Sequence, residues 1–106
     1  MDTHPAARPI DGAARDRIRT LAARVHRATG IAPLGEAAWR DLDHPDPGSF
    51  VMEDGDAIVH AMRRPGAWVL GVVPALDPTA PRPPIGAALS AAVDRGDDPV
   101  TLWIAG

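Results

Sequence analysis

The 106-residue sequence contains no cysteine, lysine, asparagine, glutamine or tyrosine. Without cysteine the chain has no disulfide, no thiolate nucleophile and no cysteine-ligated metal. All eleven basic residues are arginine and fourteen residues are acidic, so the net charge of −3 argues against binding to a phosphate backbone. The sequence shows no apolar run of membrane-spanning length and no signal-peptide pattern at its first residues. These absences predict a soluble, cytoplasmic protein that binds neither nucleic acid nor membrane.

Apolar residues make up 45% of the chain, and its length suits one globular domain. After Asp11, a suitable N-cap, apolar residues recur at helical spacing up to Gly30, a residue type that commonly ends helices. This stripe consists of Ala14, Ile18, Leu21, Ala22, Val25 and Ala28. Similar spacing predicts a second helix over 34–42 and a third over 85–95, which Gly96 ends.

Four further segments are predicted as strands: 49–53, 57–61, 67–73 and 100–104. The first two flank the short turn 54–56 and form an antiparallel hairpin. The third is apolar at consecutive positions, which is typical of a central strand covered on both faces. Together with the third helix and the last strand it makes a right-handed βαβ crossover. The fold class is therefore α/β (α+β by some schemes), a mixed sheet with flanking helices in the order ααβββαβ.

Residues 1–10 contain two prolines and no periodicity, so they are predicted to be an irregular arm before one domain over 11–106. The strand at 100–104 carries apolar side chains on both faces, and only Ala105 and Gly106 follow it. A soluble domain seldom leaves such a strand at an unpaired edge. We therefore expect either a partner strand from another chain or a longer polypeptide, and we favour the longer polypeptide.

The segments 70–74 (LGVVP) and 81–89 (PRPPIGAAL) resemble the GNAT-type N-acetyltransferases. In that family a strand ending in V-x-P precedes a loop of the pattern (Q/R)-x-x-G-x-(G/A) and a helix. The resemblance implies a GNAT fold, acetyl-CoA as cosubstrate and direct attack of an amine on the acetyl thioester. It places the acetyl-pantetheine arm along Leu70, Gly71 and Val72. It places the pyrophosphate at the helix start, on Arg82, Pro83, Pro84, Ile85, Gly86 and Ala87.

A narrower resemblance lies at 28–36 (ATGIAPLGE), 41–42 (DL) and 103–106 (WIAG). These segments are similar to the N-terminal half of the mycothiol synthases, which contain two GNAT domains in tandem. The resemblance implies acetylation of the cysteinyl amine of a cysteinyl-glucosaminyl-inositol, a small-molecule thiol precursor, with Glu36 binding this acceptor. It also implies a second GNAT domain in cis or a homodimer partner, and a further helix and two strands that this sequence lacks.

The loop departs from the GNAT pattern where phosphate binding matters most. Pro83 and Pro84 have no backbone N–H to donate. If Gly86 is aligned with the last position of the motif, Pro84 stands where the pattern has its first glycine. If Ala87 is aligned with the last position instead, Ile85 stands where the pattern has that glycine. Each lost charge-assisted hydrogen bond costs on the order of 1.5–3 kcal/mol. Two hypotheses therefore remain. In the first, the chain belongs to an acetyl-CoA-dependent N-acetyltransferase, in which this half is either active or non-catalytic. In the second, it is a decayed GNAT scaffold that serves as a dimerisation or protein-interaction module.

Most of these candidates also have a purely structural interpretation. A carboxylate such as Glu36 is favoured in the first turn of a helix, residues 70–72 suit a core strand, and Gly86 suits an ordinary helix start. The histidines lack metal-ligand spacing, so no metal is predicted. His60 is expected to be partly buried and hydrogen-bonded, and no residue is nominated as a catalytic base. A solvated acidic turn is predicted from Asp41, Asp43 and Asp46.

Overall fold

The structure, a computed structural model, describes residues 7–55, 57–77, 79, 82–96 and 98–103. Its elements within these residues are β1 (Arg8–Pro9), α1 (Gly12–Thr29), α2 (Glu36–Asp43), β2 (Phe50–Asp54), β3 (Ala57–Arg64), β4 (Ala67–Val73), α3 (Ile85–Asp94) and β5 (Val100–Trp103). The strands form one sheet in the order β1-β2-β3-β4-β5, antiparallel except for the parallel pair β4–β5. The predicted mixed sheet with flanking helices is confirmed at this level.

The capping residues at its two ends determine where α1 begins and where it ends. Asp11 Oδ1 accepts a hydrogen bond from the Ala14 N–H at 2.7 Å, as an N-cap carboxylate does. At the other end Gly30 has φ +76°, a left-handed conformation that favours glycine, and its N–H donates to the His26 carbonyl at 2.8 Å. Both predicted ends of the helix are confirmed.

Side chains alternate along the strands, so the sheet has an apolar core on each face. The face that α1 and α2 cover, here called the α1/α2 face, buries Ala14, Ile18, Val25, Leu34, Ala38, Leu42, Val51, Ile58 and Val73. The opposite face, here called the α3 face, buries Phe50, Met52, Val59, Ala61, Trp68, Leu70, Val72, Ala88 and Ala92. The predicted burial of the third strand on both faces is therefore confirmed.

The N-terminal arm differs from its prediction as an irregular segment. Arg8–Pro9 forms a short strand that pairs with β2. Proline is tolerated there because β1 lies at the edge of the sheet, where one side of the backbone needs no partner. Glu53 of β2 forms ion pairs with Arg8 and with Arg17 of α1, which ties the arm to the helix beside it. Residues 1–6 of the arm lie outside the described residues.

Some predicted boundaries shift for local reasons. The strand β3 runs to Arg64, three residues further than expected, because Pro65–Gly66 makes a tight turn with Gly66 at φ +71° and keeps β3 and β4 in register. The helix α2 begins at Glu36, so Leu34 belongs to the preceding loop and is free to pack against the sheet. Ile104 of the predicted last strand lies outside the described residues.

Replacing Asp11 with alanine removes the side-chain acceptor at the start of α1. We expect Asp11→Ala to lower the free energy of unfolding by about 1 kcal/mol, measured by urea denaturation followed by circular dichroism. Asp11→Asn keeps a capping oxygen and is expected to cost much less. Equal losses in the two variants would contradict a capping role.

Candidate functional site

A cavity of about 230 Å³ lies on the α1/α2 face, between α2 and the strands β3, β4 and β5. Its walls are mainly hydrocarbon. The lining residues are Leu34, Ala37, Ala38, His60, Met62, Arg64, Val69, Gly71 and Trp103. His60 is fully buried, whereas Arg64 and Trp103 are exposed, so these two mark the side of the cavity that meets solvent.

Two glycines allow the close packing around this cavity. A Cβ atom on Gly71 would lie 2.6 Å from Leu34 Cδ2, and one on Gly35 would overlap the ring of Trp103. Leu34 therefore packs directly on the backbone of β4, and the Trp103 ring packs on the residue that precedes α2. Trp103 is 41% exposed, and part of its ring lies against Gly35.

The polar part of the site is a buried pair of side chains, here called the Asp41–His60 pair. His60 Nε2 on β3 lies 2.8 Å from Asp41 Oδ2 in the last turn of α2, and the two residues are 0% and 8% exposed. Asp41 Oδ1 accepts hydrogen bonds from the Asp46 N–H and the Ser49 hydroxyl, both at 3.1 Å. Ser49 Oγ in turn accepts from the Arg63 N–H at 2.9 Å. The carboxylate is thus held from three directions.

These contacts determine the protonation of the pair. Burial raises the pKa of Asp41, but the hydrogen bonds from His60, Asp46 and Ser49 outweigh it, so the pKa lies below its ordinary value of 3.8. An ionised carboxylate only accepts hydrogen bonds, so the network assigns a proton to His60 Nε2. The other ring nitrogen, Nδ1, is buried and has no hydrogen-bond partner among the described residues. In the neutral ring Nδ1 is an acceptor.

The predicted acetyl-pantetheine residues lie on both faces of β4. The side chains of Leu70 and Val72 are buried in the core of the α3 face, so only their main-chain groups remain for a ligand. Gly71 faces the other way, towards the cavity, and is covered by Leu34. In the structure, the group that approaches Gly71 closely is therefore the Leu34 side chain of the same protein.

The predicted pyrophosphate residues follow one another into the start of α3: Arg82, Pro83, Pro84, Ile85, Gly86 and Ala87. Pro84 is the N-cap residue and supplies no side-chain hydrogen bond, so the first-turn N–H groups have no side-chain cap. Gly86 is exposed, and a Cβ there would meet nothing within 4 Å. Arg82 is also exposed. Pro78, Ala80 and Pro81 of the preceding loop lie outside the described residues.

Glu36, the predicted acceptor-binding residue, is the first residue of α2 and projects into solvent. Its side chain is 92% exposed and lies 3.9 Å from the Arg40 guanidinium one turn later. The next two residues, Ala37 and Ala38, line the cavity, but Glu36 does not. Glu36 is therefore next to cavity-lining residues in the sequence, but its carboxylate does not enter the cavity.

Asp41 corrects one sequence-based expectation. A solvated turn was predicted for it, and this was wrong, because α2 continues to Asp43 and directs the Asp41 carboxylate to β3. The hydrogen bonding expected for His60 is confirmed, although its burial is complete rather than partial. One sequence signal pointed to the pair: His60 falls between Ile58 and Met62, at the inward positions of an alternating strand, where a polar side chain needs a partner.

No protein-family model matches this chain, and no curated protein matches it. Within the described residues, no group of three or more histidine, aspartate or glutamate side chains is arranged to hold a metal ion. In the same part of the chain, no helix combines the length and the apolar character that a membrane span requires.

The Asp41 carboxylate makes stability depend on pH. Its pKa is lower in the folded protein than its ordinary value of 3.8, so ionised Asp41 stabilises the fold above about pH 4, and this contribution is lost as the pH falls through the folded pKa. Asp41→Asn does not ionise. We expect it to be less stable than the parent by about 1 kcal/mol near neutral pH. We expect this gap to be smaller at about pH 3, because the stabilisation by the ionised carboxylate declines below about pH 4.

Urea denaturation at the two pH values measures this gap directly. Asp16 is exposed on α1, and its carboxylate lies 3.9 Å from the Arg15 guanidinium, so Asp16→Asn removes a carboxylate without disturbing the buried network and serves as the control. A gap for Asp41→Asn that stays the same at both pH values would contradict the role given to its ionised form.

Proposed function

We propose that the chain is a GNAT-type domain of an N-acetyltransferase that acetylates the cysteinyl amine of a cysteinyl-glucosaminyl-inositol. The observation that carries the proposal is the crossover from β4 through α3 to β5. These two strands are parallel neighbours, so α3 begins beyond the carboxyl end of β4, and its first turn has no side-chain cap. The succession of elements from α1 to β5, which is the one expected from the resemblance, further supports the proposal.

The start of α3 has the chemistry that a pyrophosphate needs. The free N–H groups of a helical first turn point at an incoming anion, and the helix dipole favours negative charge there. Gly86 has open space around its Cα, which allows a phosphate to approach the backbone closely. Arg82 adds a positive charge next to this turn. Pro83 and Pro84 donate nothing, and the Ile85 N–H already donates to the Pro83 carbonyl at 2.8 Å. The N–H groups of Gly86 and Ala87 and the Arg82 side chain therefore carry the interaction.

The remaining proposed roles follow from the resemblance. The main chain of Leu70, Gly71 and Val72 holds the acetyl-pantetheine arm, and the Glu36 carboxylate accepts hydrogen bonds from hydroxyl groups of the sugar–inositol acceptor. The acceptor amine attacks the acetyl carbonyl carbon directly. A C–N bond forms, the C–S bond breaks, the amine loses a proton, and the departing coenzyme A thiolate takes one up.

Titration calorimetry with acetyl-CoA tests cofactor binding. Binding in the micromolar range is expected, and Arg82→Ala should weaken it about tenfold, because one charge-assisted contact is lost. Arg19→Ala is the matched control: it also removes an exposed arginine, but from α1 on the other face, where Arg19 only pairs with Asp43 at the surface. No heat at millimolar acetyl-CoA would rule out cofactor binding by this chain.

The edge of the sheet favours a second candidate function, a non-catalytic interaction module. Within the described residues β5 is an edge strand, and its Leu102 and Trp103 are 39% and 41% exposed. An edge strand with exposed apolar side chains is a template for pairing with another chain. The prolines before α3 fit this candidate as well, because they remove donors that a cofactor would use.

Light scattering at tens of micromolar protein tests this second function. Association above the monomer mass of 11.1 kDa is expected, and Leu102→Lys should restore the monomer because a charge on the edge opposes strand pairing. Leu76→Lys is the control, since Leu76 is 49% exposed but belongs to the loop after β4. A parent protein that is already monomeric would contradict pairing through β5.

A further inference from the structure

The cavity on the α1/α2 face has one permanently charged side chain in a wall that is otherwise mainly hydrocarbon. Arg64 ends β3, faces the same side of the sheet as His60 and Met62, lines the cavity and is exposed to solvent. None of the lining residues is acidic, and within the described part of the chain Arg64 forms no ion pair. A guanidinium group stays protonated in proteins. We propose that this cavity binds a small carboxylate with an apolar body, and that Arg64 pairs with the carboxylate group.

The dimensions and the walls define the apolar body of the ligand. A dry apolar cavity of about 150 Å³ already holds benzene, so the cavity of about 230 Å³ found here has room for one or two fused rings. Leu34, Met62 and Val69 offer hydrocarbon surface, and the Trp103 ring offers a flat face for stacking. Sites of this kind take most of their affinity from apolar contact and their orientation from a few polar groups.

The strand register sets the orientation of the ligand. Arg64 lies opposite Ala67 on β4, whereas Trp103 lies opposite Gly71. Four steps along a strand separate these two positions on β4 by about 13 Å. The carboxylate is therefore expected towards the start of β4, and the rings are expected towards Gly71 and Trp103.

The charges around the cavity favour a ligand with a single negative charge. A planar guanidinium group donates two parallel hydrogen bonds to one carboxylate, and Arg64 is the one arginine in the cavity wall. The Asp41 carboxylate does not line the cavity, and its Oδ1 already accepts hydrogen bonds from the Asp46 N–H and the Ser49 hydroxyl. The pairing with Arg64 needs no particular protonation state of His60 and no acetyl-CoA, so it can fail or succeed independently of the proposed function.

2-Naphthoate and 2-naphthamide form a matched pair of probes, since they have the same rings and nearly the same size but only naphthoate carries a charge. Titration calorimetry of the intact chain at about pH 7, where a carboxylic acid is ionised, should show both binding, with naphthoate about fivefold tighter. Equal affinities would overturn the role of Arg64. No binding of either probe up to its solubility limit would overturn the site itself.

Acetate separates the contribution of the wall from that of the charge, because it has the carboxylate without the rings. It should show no binding at the concentrations that saturate the chain with naphthoate. Acetate that binds as tightly as naphthoate would overturn the role given to the apolar wall.

Arg64→Met supplies the sharper test, because it keeps an unbranched apolar stem and removes only the charged end of the side chain. Naphthoate should lose its fivefold advantage, whereas the affinity for naphthamide should stay the same. Arg27→Met is the matched control: it removes an exposed arginine from the last turn of α1, where it does not line the cavity, and should leave both affinities unchanged. An unchanged preference for naphthoate in Arg64→Met, or an equal loss for both probes, would overturn the inference.

Val69→Phe tests whether the rings occupy this cavity. Val69 lies opposite Met62 in the β3–β4 register, so a larger side chain there takes up cavity volume while Arg64 is kept. Phenylalanine is well accepted in strands, and circular dichroism checks that the variant is folded. Binding of both naphthyl probes should be abolished, and retained binding would overturn the inference because it would show that they bind elsewhere.

Discussion

The fold depends on covering both faces of the β3–β4 pair. Along β4, Trp68, Leu70 and Val72 are packed beneath α3, so the residues between them must face α1 and α2. An inward position on such a strand has to be apolar, small enough to admit a neighbour, or polar with a partner. Gly71 meets the second condition by admitting Leu34, and His60 meets the third by pairing with Asp41. The cavity, the loop before α2 and the buried pair all follow from this one constraint.

Sequence reasoning succeeded where the determining contacts are local. Asp11 and Gly30 identified both ends of α1, and the apolar run of β4 was predicted with its observed bounds. It failed where the contact is long-range. The strand β1 depends on pairing with β2, about forty residues later, and its proline argued against a strand. Likewise Asp41 and His60 are 19 residues apart, and only the packing of α2 on β3 makes them partners.

The candidate site was therefore only partly predictable. Apart from Glu36 on α2, the residues taken from the resemblance lie along β4 and at the start of α3, since a motif is a local pattern. The structure adds a second region, the cavity with its buried pair, for which the strand pattern indicated His60 but not its partner Asp41. Because β4 contributes Val69 and Gly71 to the cavity and leads at its carboxyl end towards α3, it is the element that the two regions share.

The position of Trp103 makes the filling of the cavity detectable by tryptophan fluorescence. Its indole ring forms part of the wall, packs on Gly35 and is partly open to solvent, whereas Trp68 is fully buried on the opposite face. The third tryptophan, Trp39, is partly buried against the core of the α1/α2 face. Displacing water from beside Trp103 changes the polarity around its ring, so the protein has an intrinsic fluorescent reporter of whether the cavity is filled.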